Sequence, residues 1–318
     1  MTEKLKGDNR MLQDKPDFKL EINAKNLNYI VDVNGSAVIR EFDPNNQVVA
    51  EFPINHWMHP EKTNFGLVVF PNYGEGYLRE ASISVTLIIK DNNDEAINYR
   101  LPILIFEADS LNSGEELTKS IDSGDYRLAA DNQVKKEKGQ IYINDIDQEA
   151  LDRHDGAFKL IRDITIPNRL PLWEFFSCDE LPDYEALSKE AYRAEVDSLF
   201  VEYKKIQDAL AANDLASIKP MYAQRSKEME QAFYYEQPTW SEETFTEMQA
   251  DIDDSEWTLR IRKPEDLGIT FEHNRKLASL TLGGFGGSNA IGFKNSNGAY
   301  SSYPLTFCRK DGQWLLMR

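Results

Sequence analysis

The sequence predicts two domains, an N-terminal all-β antiparallel sandwich and a C-terminal α+β domain in which helices pack on a curved antiparallel sheet. The chain has 318 residues, which is long for a single hydrophobic core. Apolar residues alternate with the period of strands up to residue 166, take helical spacing from residue 184, and then return to the strand pattern. The prolines of PNRLP, residues 167–171, mark the boundary.

These patterns divide the chain into four parts: a polar tail (1–17), a β-sandwich domain (18–166), a linker (167–183) and an α+β domain (184–318). In the sandwich domain, Phe18, Leu20 and Ile22 alternate along the first strand. Asn34-Gly35 predicts a tight hairpin turn. Further strand-like segments follow, namely QVVAEFPI, NFGLVVF, ASISVTLIIKD, INYRLPILIF, QIYIND and AFKLIRDITI. Residues 107–125, polar and rich in Ser and Gly, predict a long loop.

Three helices are predicted at the start of the second domain. The first spans residues 184–210, and the second begins at the capping residue Asp214. The buried positions of the second helix are expected at helical spacing, at Leu215, Ile218, Tyr222, the stem of Arg225, Met229 and Phe233. Ser241 is expected to cap a third helix that ends near Ala250. Strand-like segments follow, closed by a hairpin at Asp311-Gly312.

The segments ALAANDLASIKPMYA (209–223) and FCRKDGQWLLMR (307–318) resemble the NTF2-like (SnoaL-type) family. The resemblance covers residues 184–318 and implies a cone-shaped fold. In SnoaL-type enzymes an Asp or His inside the cone acts as general acid or base, and His273 is the candidate here, since it follows Ile269 and Phe271 on a predicted strand. No orienting carboxylate is evident nearby, which favours a hydrogen-bonded core histidine.

The charge balance points to the class of partner. The chain contains 54 acidic and 36 basic residues, for a net charge of −18, which opposes binding to nucleic acid and favours a basic protein. No run of eighteen apolar residues occurs, so no membrane insertion is expected. The compartment stays open: cytoplasmic as the sequence stands, periplasmic or exported if a leader was removed.

Cys178 and Cys308 are the two cysteines. They fit either a pair of reduced, buried thiols or one disulfide bridge. The reduced state is favoured, because large domains with adequate cores rarely need a covalent staple.

The segment GGFGGSNAIGFK, residues 283–294, raises the question of phosphate binding. Gly287 and Gly292 have the spacing of a P-loop, but Phe293 stands where the lysine is required and Lys294 comes one residue late. No helix is expected to follow. The segment therefore predicts a loop between two strands.

Other polar clusters are candidates for metal or ligand sites. His56 and His59 form an i, i+3 pair that suits zinc or copper, but two ligands do not complete a site. The pair His154-Asp155 lacks the companions of a metal phosphohydrolase. No cofactor is expected. A carbohydrate-binding adhesion role, with Trp57 and Tyr73 as stacking platforms, is the weakest hypothesis.

The most unusual segment is the acidic stretch, residues 228–256, which carries ten carboxylates and no lysine or arginine. Aromatic residues are interleaved, as in a surface that docks a cationic protein. The partner-binding residues predicted on this basis are Tyr234, Tyr235, Glu236, Trp240, Glu242, Glu243, Glu247, Asp251, Asp253 and Asp254. A solvated acidic helix with inward aromatics is the plainer interpretation.

The leading hypothesis is thus a non-catalytic binding protein that masks a basic partner, with a toxin-neutralising immunity protein as one example. The alternative is an NTF2-like enzyme or small-molecule binder that uses the cavity of the C-terminal cone.

Overall fold

The protein is described by a computed structural model, in which the chain divides into two compact units. The first unit is Met1–Leu172 and the second is Trp173–Arg318. The residues that the structure describes are 15–72, 76–108, 119–120, 142–144, 146–151, 156–184, 186–236, 238–283 and 287–318. They form mostly antiparallel β-sheets and three α-helices, which confirms a mixed, β-rich fold.

The described strands of the first unit form two antiparallel sheets. Its strands are β1 (Pro16–Lys25), β2 (Asn28–Val33), β3 (Ser36–Glu41), β4 (Gln47–Pro53), β5 (Lys62–Phe70), β6 (Ser82–Asp91), β7 (Asp94–Glu107), β8 (Lys119–Ser120), β9 (Tyr142–Ile143), β10 (Asp147–Ala150) and β11 (Phe158–Thr165). One sheet has the order β4-β1-β6-β7-β8, and the other has the order β10-β11-β5-β2-β3, with β9 also paired to β11. Most of the predicted loop 107–125 lies outside the described residues, but Lys119–Ser120 pair with β7 as strand β8, where the sequence predicts loop.

The first strands follow the sequence prediction closely. Phe18, Leu20 and Ile22 are fully buried, while the intervening residues are partly exposed. Asn34 and Gly35 both have positive φ, at 54° and 78°. Positive φ at both central residues defines the type I′ turn, whose twist matches that of paired strands, so the predicted hairpin between β2 and β3 is confirmed.

A buried carboxylate shapes the centre of the second sheet. Asp32 on β2 lies opposite Gly66 on β5, and its carboxylate occupies the space that a Cβ atom on Gly66 would need. Asp32 Oδ1 accepts a hydrogen bond of 3.0 Å from the Gly35 amide. Burial raises the pKa of Asp32, although Lys159 and the Gly35 amide act in the opposite direction.

The second unit contains the three helices. These are α1 (Lys189–Ala211), α2 (Leu215–Phe233) and α3 (Thr239–Asp253). The Asp214 side chain accepts a hydrogen bond from the Ser217 amide and caps α2 as predicted. The predicted start of α3 is wrong, because the helix begins before Ser241, which lies in its first turn.

Two further antiparallel sheets follow the helices. Their strands are β12 (Trp257–Leu259), β13 (Leu267–Glu272), β14 (Leu277–Leu282), β15 (Ser288–Asn289), β16 (Ile291–Asn295), β17 (Tyr300–Tyr303), β18 (Phe307–Lys310) and β19 (Gln313–Leu316). One sheet has the order β12-β16-β17, with β17 at its edge, and the other has the order β13-β14-β18-β19, with β15 paired to β14. Side chains from the helices and from both sheets form one hydrophobic core.

The glycine-rich segment connects strands. Its described residues form β15 and β16 and no helix, so the expectation that no helix follows the glycines is confirmed; residues 284–286, where the loop between strands is predicted, lie outside the described part. A Cβ on Gly292 would collide with the carbonyl oxygen of Ser301 and the ring of Tyr300. Glycine is therefore required here by the close approach of β17 to β16.

The first segment of the second unit is fixed to the sheet that contains β18. Trp173 and Phe175 are buried, so residues from 173 onward belong to this unit rather than to a linker. Cys178 and Cys308 form a disulfide bond, with their Cα atoms 6.0 Å apart. The expectation of reduced thiols is wrong, because this segment lies along β18 and brings the two cysteines within bonding distance.

Within the described residues, no helix combines the length and the apolar character that a bilayer-spanning segment needs.

The disulfide is expected to stabilise the second unit. It closes a loop of 130 residues, and a loop of that size loses much of its entropy in the unfolded chain when it is cross-linked. The variant Cys178→Ser/Cys308→Ser should lose about 2–5 kcal/mol of unfolding free energy, measured by urea denaturation. Reducing agent should produce the same loss in the wild type and none in the variant; equal stability of the two proteins would contradict a structural role.

Asp32 is expected to give the first unit a distinct pH dependence. Because its pKa is raised in the folded state, the contribution of Asp32 to stability is present below its ordinary pKa and is lost as the pH rises through the folded value. Asp32→Asn removes this titration and keeps an acceptor for Gly35. The unfolding free energy of Asp32→Asn relative to wild type should therefore increase from pH 4 to pH 7. A flat or falling difference in urea titrations would show that the pKa is not raised.

Candidate functional site

The acidic stretch borders a cavity in the second unit. The cavity has a volume of about 410 Å³, is partly open to solvent, and lies between α2, α3 and the edge strand β17. Its lining residues are Arg225, Trp240, Thr244, Glu247, Met248, Ala250, Asp251, Ser301, Ser302, Tyr303 and Pro304. A cavity of this size suits a small ligand or a single side chain of a partner.

One wall of the cavity is a face of α3. Trp240, Thr244, Glu247 and Asp251 recur at spacings of three and four residues, which places them on the same side of the helix. Glu247 is exposed, whereas Asp251 is half-buried. This face therefore combines an indole ring with two carboxylates.

The opposite wall is β17, which contacts Asp251 through hydroxyl groups. Asp251 Oδ2 accepts hydrogen bonds from Ser301 Oγ at 2.6 Å and from the Tyr303 hydroxyl at 2.5 Å. Burial and the hydrogen bond to Asp251 raise the pKa of Tyr303, so the tyrosine stays protonated and keeps donating. The carboxylate of Asp251 is thus held in one orientation.

Arg225 of α2 adds a cationic group to the same cavity. Its Nη1 donates a long hydrogen bond of 3.5 Å to the Pro304 carbonyl oxygen, and its guanidinium lies 5.6 Å from the centre of the Tyr222 ring. Nε is buried and, among the described residues, has no hydrogen-bond partner. Burial lowers the pKa of Arg225. The cavity thus contains charges of both signs.

The aromatic residues of the stretch are only partly buried. Tyr235 is 42% exposed, and its ring stacks on that of the half-buried Trp240, with 6.3 Å between the ring centres. Tyr234 ends α2 in the left-handed conformation, at φ 58°, and is half-buried. The structure therefore brings Tyr235 and Trp240 together at the surface beside the cavity.

The carboxylates of the stretch do not form one surface. Glu243 and Glu247 lie toward the cavity side of α3, whereas Glu242 and Asp253, eleven residues apart, lie on another side. Asp254 follows the end of the helix and bonds the Glu256 amide. Glu236 precedes the helix and is exposed. The predicted partner-binding set is thus divided by the geometry of α3.

Two carboxylates counted in the acidic stretch are buried. Glu228, which is 3% exposed, accepts hydrogen bonds from the Glu174 amide at 2.8 Å and from Arg318 Nη1 at 2.7 Å. Glu230, 5% exposed, accepts a bond of 3.4 Å from the Ser241 amide in the first turn of α3. A carboxylate at that position also stabilises the helix dipole. Both residues stabilise the fold and belong to no docking surface.

His273 does not lie on a strand or in the cavity. β13 ends at Glu272, and His273 has a positive φ of 53° in the following turn. It is 4% exposed, and its ring packs edge-on against Phe175 and Phe176 at 4.5 and 4.8 Å. The role of His273 as a candidate acid or base is not supported, because other side chains enclose it.

The first unit contains the proposed sugar-stacking residues and the histidine pair. Trp57 is only 9% exposed, so it offers no platform for stacking a sugar, and Tyr73 lies outside the described residues. His59 Nδ1 accepts hydrogen bonds from the amides of Glu61 and Lys62 at 3.1 and 3.4 Å, and burial lowers its pKa. The His56 ring lies beside that of Trp57, with 4.8 Å between the ring centres and the two planes tilted by 42°.

Metal binding receives no support from side-chain clusters. Within the described ranges, no group of three or more His, Cys, Asp or Glu side chains is arranged to hold a metal ion. Residues 154–155 lie outside these ranges.

Sequence reasoning missed the cationic and hydroxyl groups of the cavity. The sequence predicts packing of Arg225 through its stem and assigns no role to Ser301 or Tyr303. Alternation in the segment YSSYP placed Ser301 and Tyr303 on one face of β17. Nothing in the sequence paired that face with Asp251.

No known protein family, curated protein or solved structure matches the chain in the comparisons made.

The hydroxyl of Tyr303 is expected to stabilise the junction of α3 and β17. Tyr303→Phe removes a hydrogen bond to a carboxylate and should cost about 1–2 kcal/mol of unfolding free energy, measured by urea denaturation. Tyr300→Phe is the matched control, since its hydroxyl bonds the Asn289 carbonyl at a more exposed position, and its loss should be smaller. Equal losses in the two variants would contradict the proposed junction.

Proposed function

We propose that this chain is a non-catalytic binding protein that docks a basic protein through the cavity side of α3. The observation that supports this most directly is the stacked, partly exposed pair Tyr235–Trp240 beside Glu243 and Glu247. Aromatic rings supply buried contact area in protein interfaces, and neighbouring carboxylates orient a positively charged partner.

The overall charge supports the same proposal. At a net charge of −18, the chain attracts basic proteins over distances of about a Debye length and repels acidic ones. Such attraction raises the association rate more than it lowers the dissociation rate. A protein that has to capture a basic target quickly benefits from this arrangement, and neutralisation of a basic toxin is one role of that kind.

The NTF2-like assignment is part of this proposal. Helices α1, α2 and α3 precede the strands of the second unit, which is the order expected for that fold. Fold alone specifies no activity. In this proposal the second unit acts as a scaffold that presents α3.

A second candidate function, small-molecule binding, is favoured by the cavity itself. Its walls combine Trp240 and Met248 with Arg225, Asp251 and hydroxyl groups. Apolar surface with a few converging polar groups is typical of ligand sites.

The proposed docking face is tested by two variants of equal charge. Glu243→Gln/Glu247→Gln neutralises the cavity side of α3, whereas Glu242→Gln/Asp253→Asn neutralises another side. Both lose two negative charges, so any effect of net charge alone is the same. Affinity capture from the source organism at low salt, with mass spectrometry, should retain a basic protein on the wild type and the second variant and lose it, by at least about tenfold in affinity, on the first.

Identical capture by the two variants would contradict a face-specific interaction. Net charge alone would then account for the binding. Trp240→Ala extends the test, since removal of an aromatic anchor should raise the dissociation rate of the captured protein by about tenfold or more.

A further inference from the structure

The guanidinium of Arg225 is poorly satisfied in this structure. It forms no ion pair among the described residues, its Nε has no hydrogen-bond partner, and its one hydrogen bond measures 3.5 Å. Arg225 is half-buried, and a partly desolvated cation gains free energy from an acceptor that completes its bonds. Since Arg225 lines the cavity, a ligand inside the cavity is well placed to supply that acceptor.

Asp251 and Glu247 line the same cavity, and their carboxylates need a hydrogen-bond donor or a cation rather than an acceptor. Asp251 uses Oδ2 for the two hydroxyl groups of β17, which leaves Oδ1 for another donor. Glu247 is exposed at the rim. A purely anionic ligand would satisfy Arg225 but be repelled by these carboxylates, and a purely cationic ligand would leave Arg225 without an acceptor.

We infer that the cavity binds a small zwitterion, whose carboxylate pairs with Arg225 and whose protonated nitrogen pairs with Asp251 and Glu247. The apolar part of the ligand lies beside Trp240 and Met248. Arginine and carboxylate groups form strong, geometrically specific pairs, and Trp240 and Met248 offer apolar surface to the carbon chain of the ligand. This inference goes beyond the proposed docking of a basic protein and does not depend on it.

The dimensions of the cavity are consistent with this ligand class. A volume of about 410 Å³ accommodates an amino acid or a dipeptide. A free amino acid and the C-terminal lysine of a polypeptide offer the same two charges, so the chemistry alone does not separate these two sources.

The test measures binding of a homologous series to the full chain by isothermal titration calorimetry. The probes are glycine, β-alanine, 4-aminobutyrate, 5-aminopentanoate and 6-aminohexanoate, together with L-lysine and L-arginine. In the unbranched series the two charges stay the same while their separation grows, whereas L-lysine and L-arginine add a second cationic group. The probe with one particular charge separation should bind best. The amide of that probe and its deaminated carboxylic acid should each bind at least about tenfold more weakly.

Two variants test which residue pairs with each charge of the ligand. Arg225→Gln should abolish the preference for the acid over the amide, and Glu247→Gln should reduce the preference for the amino acid over its deaminated analogue. Arg260→Gln, at an exposed arginine outside the cavity, is the matched control and should bind as the wild type does. If Arg225→Gln fails to fold, Arg225→Lys, which keeps the charge but loses the bidentate geometry, should bind at least about threefold more weakly.

The peptide Gly-Gly-Lys, as free acid and as amide, separates the two sources. Tighter binding of the peptide acid than of lysine assigns the site to a polypeptide terminus, and the reverse assigns it to a free amino acid; both results support the inference. It is overturned if no probe shows saturable binding, if amides bind as tightly as acids, or if a folded Arg225 variant binds like the wild type.

Discussion

The attachment of α3 to β17 through Asp251 is the interaction on which the candidate site depends. Helix α3 buries few apolar side chains, chiefly Phe245 and Met248, so packing alone holds it weakly. The Asp251 carboxylate compensates by accepting two hydroxyl hydrogen bonds from the strand. This junction fixes the wall that carries Trp240 and Glu247 against β17.

A second carboxylate holds the other end of the same helix. Glu230 lies at the first turn of α3 and accepts a bond from the Ser241 amide, while Pro238 at the N-cap provides no side-chain acceptor. Part of the acidity of the stretch is thus structural. The exposed carboxylates of α3 lie on two sides of the helix. Those on one side are next to the cavity, and those on the other face elsewhere.

The cavity changes how the acidity of this region is understood. An entirely acidic surface attracts cations without discriminating among them, since Coulomb attraction is non-specific. Arg225 introduces a second requirement, because its guanidinium needs an acceptor that a simple cation does not carry. Specificity for one ligand over another then comes from the arrangement of both charges.

Local chemistry was enough to predict most of the strands, both hairpins, the presence of three helices and the cap at Asp214, because each of these depends on residues close together in the chain. It did not predict the short strands β8 and β10 or the start of α3. The sequence also identified Tyr235, Trp240 and Glu247 as members of one segment. It did not distinguish buried Glu228 from exposed Glu243, since burial depends on which surfaces meet. The disulfide, the enclosure of His273, and the meeting of Arg225, Asp251 and Tyr303 were decided by tertiary structure. These residues are 26 to 130 positions apart, and only the packing of the folded chain brings such distant groups together.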